Sequence, residues 1–444
     1  MNKKYPYSLL KKSILNKFEI KGGWVTDSKD INVVDKYKYG TLKYTSNDIN
    51  LTLFQGFPSK DEKKMCFNEE PQRYPDIYGR IADMTSYYIH AVNNSELSIP
   101  VFADLLPVHT QKINVSYFTV SNYFPVKSVR MKTLIIGSTF LNEWLKPLQK
   151  MRPFDEDDSF GIRIYKSESQ LLGNFNYQNQ KFEMFFTGNV NQDAIARGRQ
   201  INIINDSFLR ITSKEEITAE KALEIDSKLN RLFTIICSSP VSSSLISLRG
   251  KKSYISDVYC PSNYPINENN TNIIFEGKDF ELGRLFSNWF SMSDELKLLT
   301  DNYAITVSYS ETIENKLINL IEGIESFYRK NNITLFQAMK RLIHSLPSEI
   351  LYKITEYVGS IDEWLKKLRN TRVFLTHGTE RKARFTDINE LIVQVNIFQI
   401  LIQCFIMKEL GYDFKENHCR KIVHKIDMIF NTSFLPGFKI EVQH

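Results

Sequence analysis

The 444-residue sequence predicts an α+β protein: a β-rich N-terminal domain, sandwich-like or barrel-like, followed by an all-α helical bundle. Two observations support this prediction. Up to about residue 215, short segments alternate apolar with polar residues, as strands with one buried face do. From about Asp279 onward, apolar residues recur every three or four positions, which is typical of amphipathic helices.

The alternating pattern is clearest in six segments of the first half. Turn residues such as Asn47-Asp48 separate them, and their spacing suits an antiparallel sandwich or barrel. We assign residues 1–215 to this β-rich domain. Because its segments are rich in aromatic residues, we expect it to serve in recognition or regulation. The six segments are 18–24, 39–44, 49–54, 87–91, 112–120 and 182–186.

A connector of mixed structure is expected at residues 216–295. Residues 219–237 have the apolar spacing of a helix, and two strand-like runs follow at 241–248 and 254–259. The alternation of apolar and polar residues that dominates the first half ends near Thr218, so we separate this region from the β-rich domain.

The helical bundle is assigned to residues 296–444. In its clearest helix, 311–330, six apolar residues form the stripe expected of a bundle helix. A long helix is expected at 387–410, stopped by Gly411. The remaining helical patterns are 335–346, 349–368 and 418–430.

The composition favours a cytoplasmic protein without a membrane partner. Five dispersed cysteines with no CxxC pair argue against a disulfide framework and fit a reducing compartment. The basic start lacks the long apolar segment of a signal peptide. The most apolar stretch, 391–407, contains four polar residues, and this spacing predicts a half-buried helix rather than a membrane span. These residues are Gln394, Asn396, Gln399 and Gln403.

One short segment contains residues suited to a chemical reaction. Arg372 and His377 are separated by four residues and lie between a helical pattern ending near Leu368 and one beginning near Asp387. RNA can be cut without a metal when its own 2′-OH attacks the neighbouring phosphate, which requires proton transfer and a fixed cation on the phosphate. Histidine and arginine supply these functions. The pair is compatible with RNA cleavage without a metal or cofactor, but the spacing alone favours the alternative of a surface arginine and a capping or core histidine.

Charged residues around the motif fit the same chemistry. Glu322 and Glu325 could orient Arg372 through a carboxylate pair, with Glu325 preferred, or could be ordinary exposed helix residues. The net charge of +6 permits an RNA partner, and basic residues flank the motif. We expect these basic residues to bind RNA phosphates; the alternative is a solvated loop. They are Lys366, Lys367, Arg381, Lys382 and Arg384.

The C-terminal segment resembles the HEPN domain, whose active members carry Arg-x4–6-His and cut RNA as dimers. The closer resemblance is to ApeA-type antiphage proteins, which place a large β-rich domain before an HEPN domain. Residues 371–377 resemble that family's Thr-Arg-Asn-x-x-x-His core, and residues 320–325 resemble its acidic helix. Segments that resemble its N-terminal domain are 22–24, 39–42, 51–53 and 77–79.

One position departs from the family pattern. Val373 stands where a polar residue, often Asn, usually follows the arginine, and an asparagine, Asn370, follows Arg369 instead. Either Arg372 and His377 form the pair without this polar neighbour, or Arg369 and Asn370 contribute from one turn earlier. We prefer the first of these alternatives and expect Arg372 and His377 to be catalytic. The residues expected to support them are Arg369, Asn370, Thr371 and Thr376.

The resemblance implies a metal-independent endoribonuclease of bacterial antiphage defence that halts an infected cell by cutting its RNA (abortive infection). It implies an RNA substrate, with tRNA or another structured cellular RNA as the candidate class. It also implies a homodimer formed through the HEPN domain and a phage-derived trigger. Two alternatives stay open. One is a non-catalytic HEPN module that binds RNA or a partner, with a β-sandwich sensor; the other is a β-sandwich binding protein whose helices only dimerise.

Three other motifs are assigned no function. His418 and His424 lie on different faces of a helix without a second cysteine pair, so we expect no zinc site. Residues 155–158 are acidic and are expected to form a solvated loop. Residues 250–253 lack the upstream glycine of a phosphate-binding loop, which argues against a nucleoside triphosphatase.

Overall fold

The computed structural model describes most of the chain. It covers residues 8–10, 12–57, 76–81, 84–92, 98–101, 110–124, 130–145, 151–156, 159–164, 169–195, 200–261, 273–380 and 383–433. For residues 84–86, 98–101, 139, 151–156, 159–164, 188–195, 200–206, 252 and 432–433, the backbone alone is described.

Strands dominate the first part of the chain, as the alternating pattern predicts. They are β1 (Phe18–Val25), β2 (Lys38–Tyr44), β3 (Ile49–Leu53), β4 (Asp76–Ile81), β5 (Met84–Val92), β6 (Ser98–Val101), β7 (Thr110–Asn114), β8 (Tyr117–Ser121), β9 (Met131–Gly137), β10 (Met151–Glu156), β11 (Ser159–Ile164), β12 (Gln170–Tyr177), β13 (Gln180–Ile195), β14 (Gln200–Ser213), β15 (Leu245–Gly250) and β16 (Ile255–Tyr259). Fourteen of them form one antiparallel sheet in the order β12-β13-β14-β9-β15-β16-β8-β5-β4-β1-β2-β3-β7-β6, while β10 pairs with β11.

The sheet curls around an aromatic core. Tyr44 on β2 and Tyr259 on β16 are five strands apart in the sheet order, which in a flat sheet corresponds to about 24 Å. Their ring centroids are nevertheless 5.8 Å apart, and Phe118 on β8 stacks on Tyr259 at 4.9 Å. Since only a strongly coiled sheet brings these rings together, this part is barrel-like. The predicted α+β class is confirmed.

The helices lie mainly in the second half of the chain. They are α1 (Thr139–Leu145), α2 (Ala219–Cys237), α3 (Leu282–Phe290), α4 (Asp294–Ser308), α5 (Ile313–Phe327), α6 (Leu335–His344), α7 (Ser348–Val358), α8 (Ile361–His377), α9 (Ile388–Glu409) and α10 (Glu416–Ser433). Side chains accept hydrogen bonds from first-turn N–H groups at several N-caps, including Thr312 of α5, Ser360 of α8 and Asp387 of α9.

One expected helix was wrong in its extent. The pattern at 349–368 suggested a single helix, but α7 ends at Val358, and the next residue, Gly359, has a φ of 74° that favours glycine. A new helix, α8, then begins behind the Ser360 cap and runs on to His377. The motif therefore lies on a helix rather than between two helices, since α8 includes both Arg372 and His377 and is followed by Gly378.

The apolar helix α9 is the centre of the bundle. It is long and apolar enough to cross a membrane, with a mean hydropathy of 1.7 in its most apolar window, but 78% of that window is buried inside the protein. Two of its polar residues have partners in the core: Gln394 accepts from Trp364 Nε1 at 2.8 Å, and Gln403 Nε2 donates to Ile235 O at 2.6 Å. These contacts are those of a core helix, more deeply buried than the half-buried helix expected from the sequence.

The region expected to be a connector joins the sheet to the bundle. Its strands β15 and β16 belong to the large sheet, while α2 packs against α4 and α9. Helix α3 lies on β12, where the rings of Phe175 and Phe290 stack with centroids 3.9 Å apart. The same helix donates from Asn288 Nδ2 to Leu410 O at 3.1 Å, at the end of α9. Helix α3 thus contacts both the edge strand of the sheet and the end of α9.

Candidate active site

Helix α8 carries the two residues of the motif and is fixed by its neighbours α5 and α6. At its start, Asp362 accepts a hydrogen bond from Lys340 of α6 at 2.5 Å, and this lysine holds the pKa of Asp362 below its usual value. At its end, Gly378 adopts a left-handed conformation with a φ of 65°, and its N–H donates to Phe374 O at 2.8 Å. His377 is therefore the last residue of the helix.

Arg372 faces α5 and is held there by two carboxylates. Its Nη2 lies 3.4 Å from Glu325 Oε2 and 4.0 Å from Glu322 Oε1. The two glutamates are three residues apart and thus share one face of α5. The Arg372 side chain is only 16% exposed, and its Nε is buried without a hydrogen-bond partner among the described residues. Glu325 is thus the closer of the two carboxylates, and the expected role of the pair in orienting Arg372 stays a prediction.

His377 lies on another face of the helix. A separation of five residues corresponds to a rotation of about 140° around a helix axis and a rise of roughly 7.5 Å. The imidazole is exposed, and no hydrogen bond or ion pair joins it to Arg372 or to any other described residue. A single copy of the chain thus presents the arginine and the histidine in different directions.

Two of the expected supporting residues hold the segment that follows the helix. Asn370 and Thr371 are buried; Asn370 Nδ2 donates to Ala383 O at 3.0 Å, and the N–H of Phe385 donates to Thr371 Oγ1 at 3.0 Å. Asn370 Oδ1 also accepts from Arg369 Nη2 at 2.9 Å. Arg369 thus bonds to Asn370, and Asn370 in turn bonds to this segment. Thr376, by contrast, is exposed and bonds only to carbonyls of its own helix.

The basic residues around the motif lie against aromatic rings. Lys366 pairs with Glu363 at 2.6 Å, and its ammonium lies 5.9 Å from the ring centroid of Phe336. Lys367 lies 5.5 Å from the centroid of Phe385. The guanidinium carbon of Arg384 lies 3.7 Å from the centroid of Phe374. Arg381 and Lys382 fall outside the described residues.

These aromatic rings were missed by the sequence analysis. Phe374 stands inside the motif itself, between Arg372 and His377, which was the available signal. Phe336 comes from α6, and only the folded structure brings it to Lys366 and Arg369.

Comparison with protein families agrees with the geometry. A family model described as ApeA N-terminal domain 1 matches residues 19–289, which is more than half of the chain. The chain belongs to the ApeA family. A second model, described as Apea-like HEPN, matches residues 283–416, so the ApeA-type order of a β-rich domain before an HEPN domain is confirmed and all of α8 falls within the HEPN match. No curated protein and no solved structure gave a match.

The other motifs of this ApeA-family chain have structural partners or fall outside the described side chains. His418 is nearly buried and lies 3.4 Å from Asp279. Within the described residues, no group of three or more His, Cys, Asp or Glu side chains is arranged to hold a metal ion. The side chains of the acidic segment 155–158 are not among those described.

We expect Thr371→Val to lower the free energy of unfolding by about 1–3 kcal/mol, because the buried N–H of Phe385 loses its acceptor. Valine has nearly the same shape and helix propensity as threonine, so the hydroxyl is the main change. The matched control is Thr376→Val, whose exposed hydroxyl bonds only within its helix and whose loss should cost less than about 0.5 kcal/mol. Urea denaturation measures both variants; equal stabilities would contradict the assigned role of Thr371.

Proposed function

We propose that this chain is a metal-independent endoribonuclease of bacterial antiphage defence, acting by abortive infection, with Arg372 and His377 as its catalytic residues. The observation that carries the proposal is the arrangement on α8 inside the HEPN match: an arginine held by Glu325 at 3.4 Å, and an exposed histidine at the helix end. Basic residues on and beside the same helix suit a polyanionic substrate.

The reaction is an internal transesterification. His377 takes the proton of the 2′-OH, the 2′-oxygen forms a bond to phosphorus, and the bond from phosphorus to the 5′-oxygen breaks. The guanidinium of Arg372 stabilises the charge on the phosphate. The products are a 2′,3′-cyclic phosphate and a 5′-hydroxyl, and the 5′-oxygen needs a proton as it leaves. DNA lacks the 2′-OH and is spared.

The experiment that tests this function uses the purified full-length chain. An extract of phage-infected cells supplies the trigger proposed below, and the His377→Ala chain in the same extract controls for other ribonucleases. With this extract we expect the chain to cut total bacterial RNA at an undiminished rate in the presence of EDTA and to leave 5′-hydroxyl ends. A 2′-deoxy nucleotide at the mapped cleavage site should block cutting there. Loss of cleavage in EDTA would contradict metal independence. Binding of RNA without cleavage even in the presence of the infected-cell extract would instead favour the non-catalytic HEPN module, whose site would have lost activity with Val373 in place of the usual polar residue.

A homodimer is the expected active species. One histidine cannot at once remove the proton from the 2′-OH and supply one to the 5′-oxygen, and one chain points Arg372 and His377 about 140° apart. Two-fold pairing of HEPN domains places two copies of each residue around one phosphate. Mixing His377→Ala chains with wild-type chains should lower activity more than dilution alone predicts. Full cleavage by a chain that sedimentation shows to be a monomer would contradict this expectation.

The β-rich half is proposed to control the nuclease. An unrestrained ribonuclease would kill its own cell, so a trigger, here a phage-derived molecule, must release it. The contacts of α2 and α3 with both the sheet and the bundle give a route for this control, because a shift of either helix alters how the HEPN helices pack. The division into 1–215, 216–295 and 296–444, the cytoplasmic location and the choice of tRNA as substrate belong to this proposal.

A further inference from the structure

Arg384 and Phe374 form a stacked pair on the surface of the HEPN domain. The guanidinium carbon of Arg384 lies 3.7 Å from the centroid of the Phe374 ring, which is van der Waals contact with the face of the ring. Phe374 is half-buried, and the Arg384 side chain is 22% exposed. The pair therefore lies at the surface with part of each side chain accessible to solvent.

The position of this pair is fixed by buried contacts. The residues on either side of Arg384 are both bonded to α8: Ala383 O accepts from Asn370, and the N–H of Phe385 donates to Thr371. The Phe385 ring is buried and lies under Lys367. Arg384 thus extends from a short segment that is tied down on both sides, so its guanidinium remains over Phe374.

The pair lies beside the proposed catalytic histidine. Phe374 and His377 are three residues apart on α8, so their side chains are neighbours with Cβ atoms about 5–6 Å apart. Arg372, in contrast, points to Glu325 on α5. Through Phe374, Arg384 lies on the side of α8 that carries His377, stacked flat on a ring rather than aimed at a carboxylate. Its nearest carboxylate, Glu380, is 88% exposed at 4.0 Å and holds it weakly.

We propose that the Arg384–Phe374 pair is a stacking platform for one unpaired base next to the scissile phosphate. A guanidinium plane or an aromatic ring binds the face of a base that is splayed out of its helix, whereas bases inside a duplex offer no free face. The substrate class is then RNA that is unpaired at the cut site, in a loop or a single strand. This inference rests on the proposed function for the identity of the scissile phosphate.

The test measures binding rather than cleavage, so that it does not depend on the chain being active. His377→Ala protein, full-length, is titrated into a short fluorescent single-stranded RNA, into the same RNA in a duplex, and into a copy in which single bases are removed in turn. We expect removal of one particular base to weaken binding by roughly 5- to 100-fold. The duplex should bind more weakly than the single strand.

Arg384→Lys separates stacking from charge. Lysine keeps the positive charge for phosphate but has no plane for a base. In the His377→Ala background, Arg384→Lys should weaken binding of the intact RNA by a similar factor and should remove the difference between the intact and the abasic RNA. Phe374→Leu should do the same. Arg420→Lys, at an exposed arginine of α10 paired with Glu416, is the matched control and should change nothing.

Two results would overturn the proposal. If the intact and abasic RNAs bind equally well or not at all, no base is recognised, and if Arg384→Lys keeps the base preference, Arg384 is only a phosphate contact. Failure of the proposed function gives a different result from failure of this inference. In that case the wild-type protein would cut no RNA, while the His377→Ala protein would still prefer the intact RNA over the abasic RNA.

Discussion

Replacement of His377 by alanine is expected to slow RNA cleavage by about 10²- to 10⁴-fold, the usual contribution of a positioned proton-transfer group. Histidine is the side chain type that changes its charge between pH 5 and 8, so it can both accept and release a proton in a cell. No other histidine within the described residues lies on α8, and so no neighbour on that helix can take over the role.

The stability of this variant should stay within about 0.5 kcal/mol of the wild type, because His377 is exposed, ends its helix and bonds to no described residue. His377→Gln is the second variant, since glutamine forms hydrogen bonds but does not titrate, and it should be as inactive as alanine. The rate is followed on the mapped RNA site under single-turnover conditions. Wild-type rates in both variants would show that the proton is moved by another group.

Local signals in the sequence predicted the elements well. The helix expected at 219–237 is α2 with the same bounds, and the apolar stripe of 311–330 contains α5. These predictions succeeded because the patterns depend only on neighbours along the chain. The same holds for the alternating segments that became β1, β2 and β3, although alternation alone could not show that a sheet of fourteen strands curls until Tyr44 meets Tyr259.

The sequence proposed residues for the candidate site, and their catalytic roles stay predictions, but it could not show how these residues are arranged. Spacing identified Arg372 and His377, and an acidic helix suggested Glu325, which the fold places 3.4 Å from the arginine. The extent of α8 was misjudged because Thr371, Val373 and Thr376 favour strands over helices, while burial of Thr371 against the 383–385 segment outweighs that preference. Contacts between distant segments decided the outcome, and no local pattern contains them.

The arrangement of Arg372 bears on how it contacts a phosphate. Both glutamates meet the guanidinium at Nη2, and Nε is buried, so in this arrangement the arginine is turned towards α5. Glu322 and Glu325 are about half exposed and hold the arginine at this one nitrogen with a modest, screened attraction. They can therefore orient the guanidinium without preventing its contact with a phosphate.

Arg372→Lys is expected to damage cleavage nearly as much as Arg372→Ala, each by about 10²- to 10³-fold, the usual effect of losing a fixed donor to a developing charge. Lysine keeps the positive charge but carries it on one nitrogen, so it has no planar fork that binds two phosphate oxygens. For the same reason, lysine cannot contact Glu325 with one nitrogen and a phosphate with another in a fixed geometry. Single-turnover rates on the mapped RNA site measure the loss.

Two further variants locate the effect. Glu325→Gln should lower the rate several-fold in the wild-type chain. It should have almost no additional effect in Arg372→Lys, because Glu325 is expected to act only by orienting the arginine, which that variant lacks.

Arg369→Lys tests the alternative in which Arg369 rather than Arg372 contacts the phosphate. Arg369 is one turn away and donates to Asn370, and its replacement should leave most of the activity. Near-normal cleavage by Arg372→Lys, combined with a large loss in Arg369→Lys, would assign the phosphate contact to Arg369. Equal activity in all three variants would show that positive charge on this face of α8 suffices and that the fork geometry is not used.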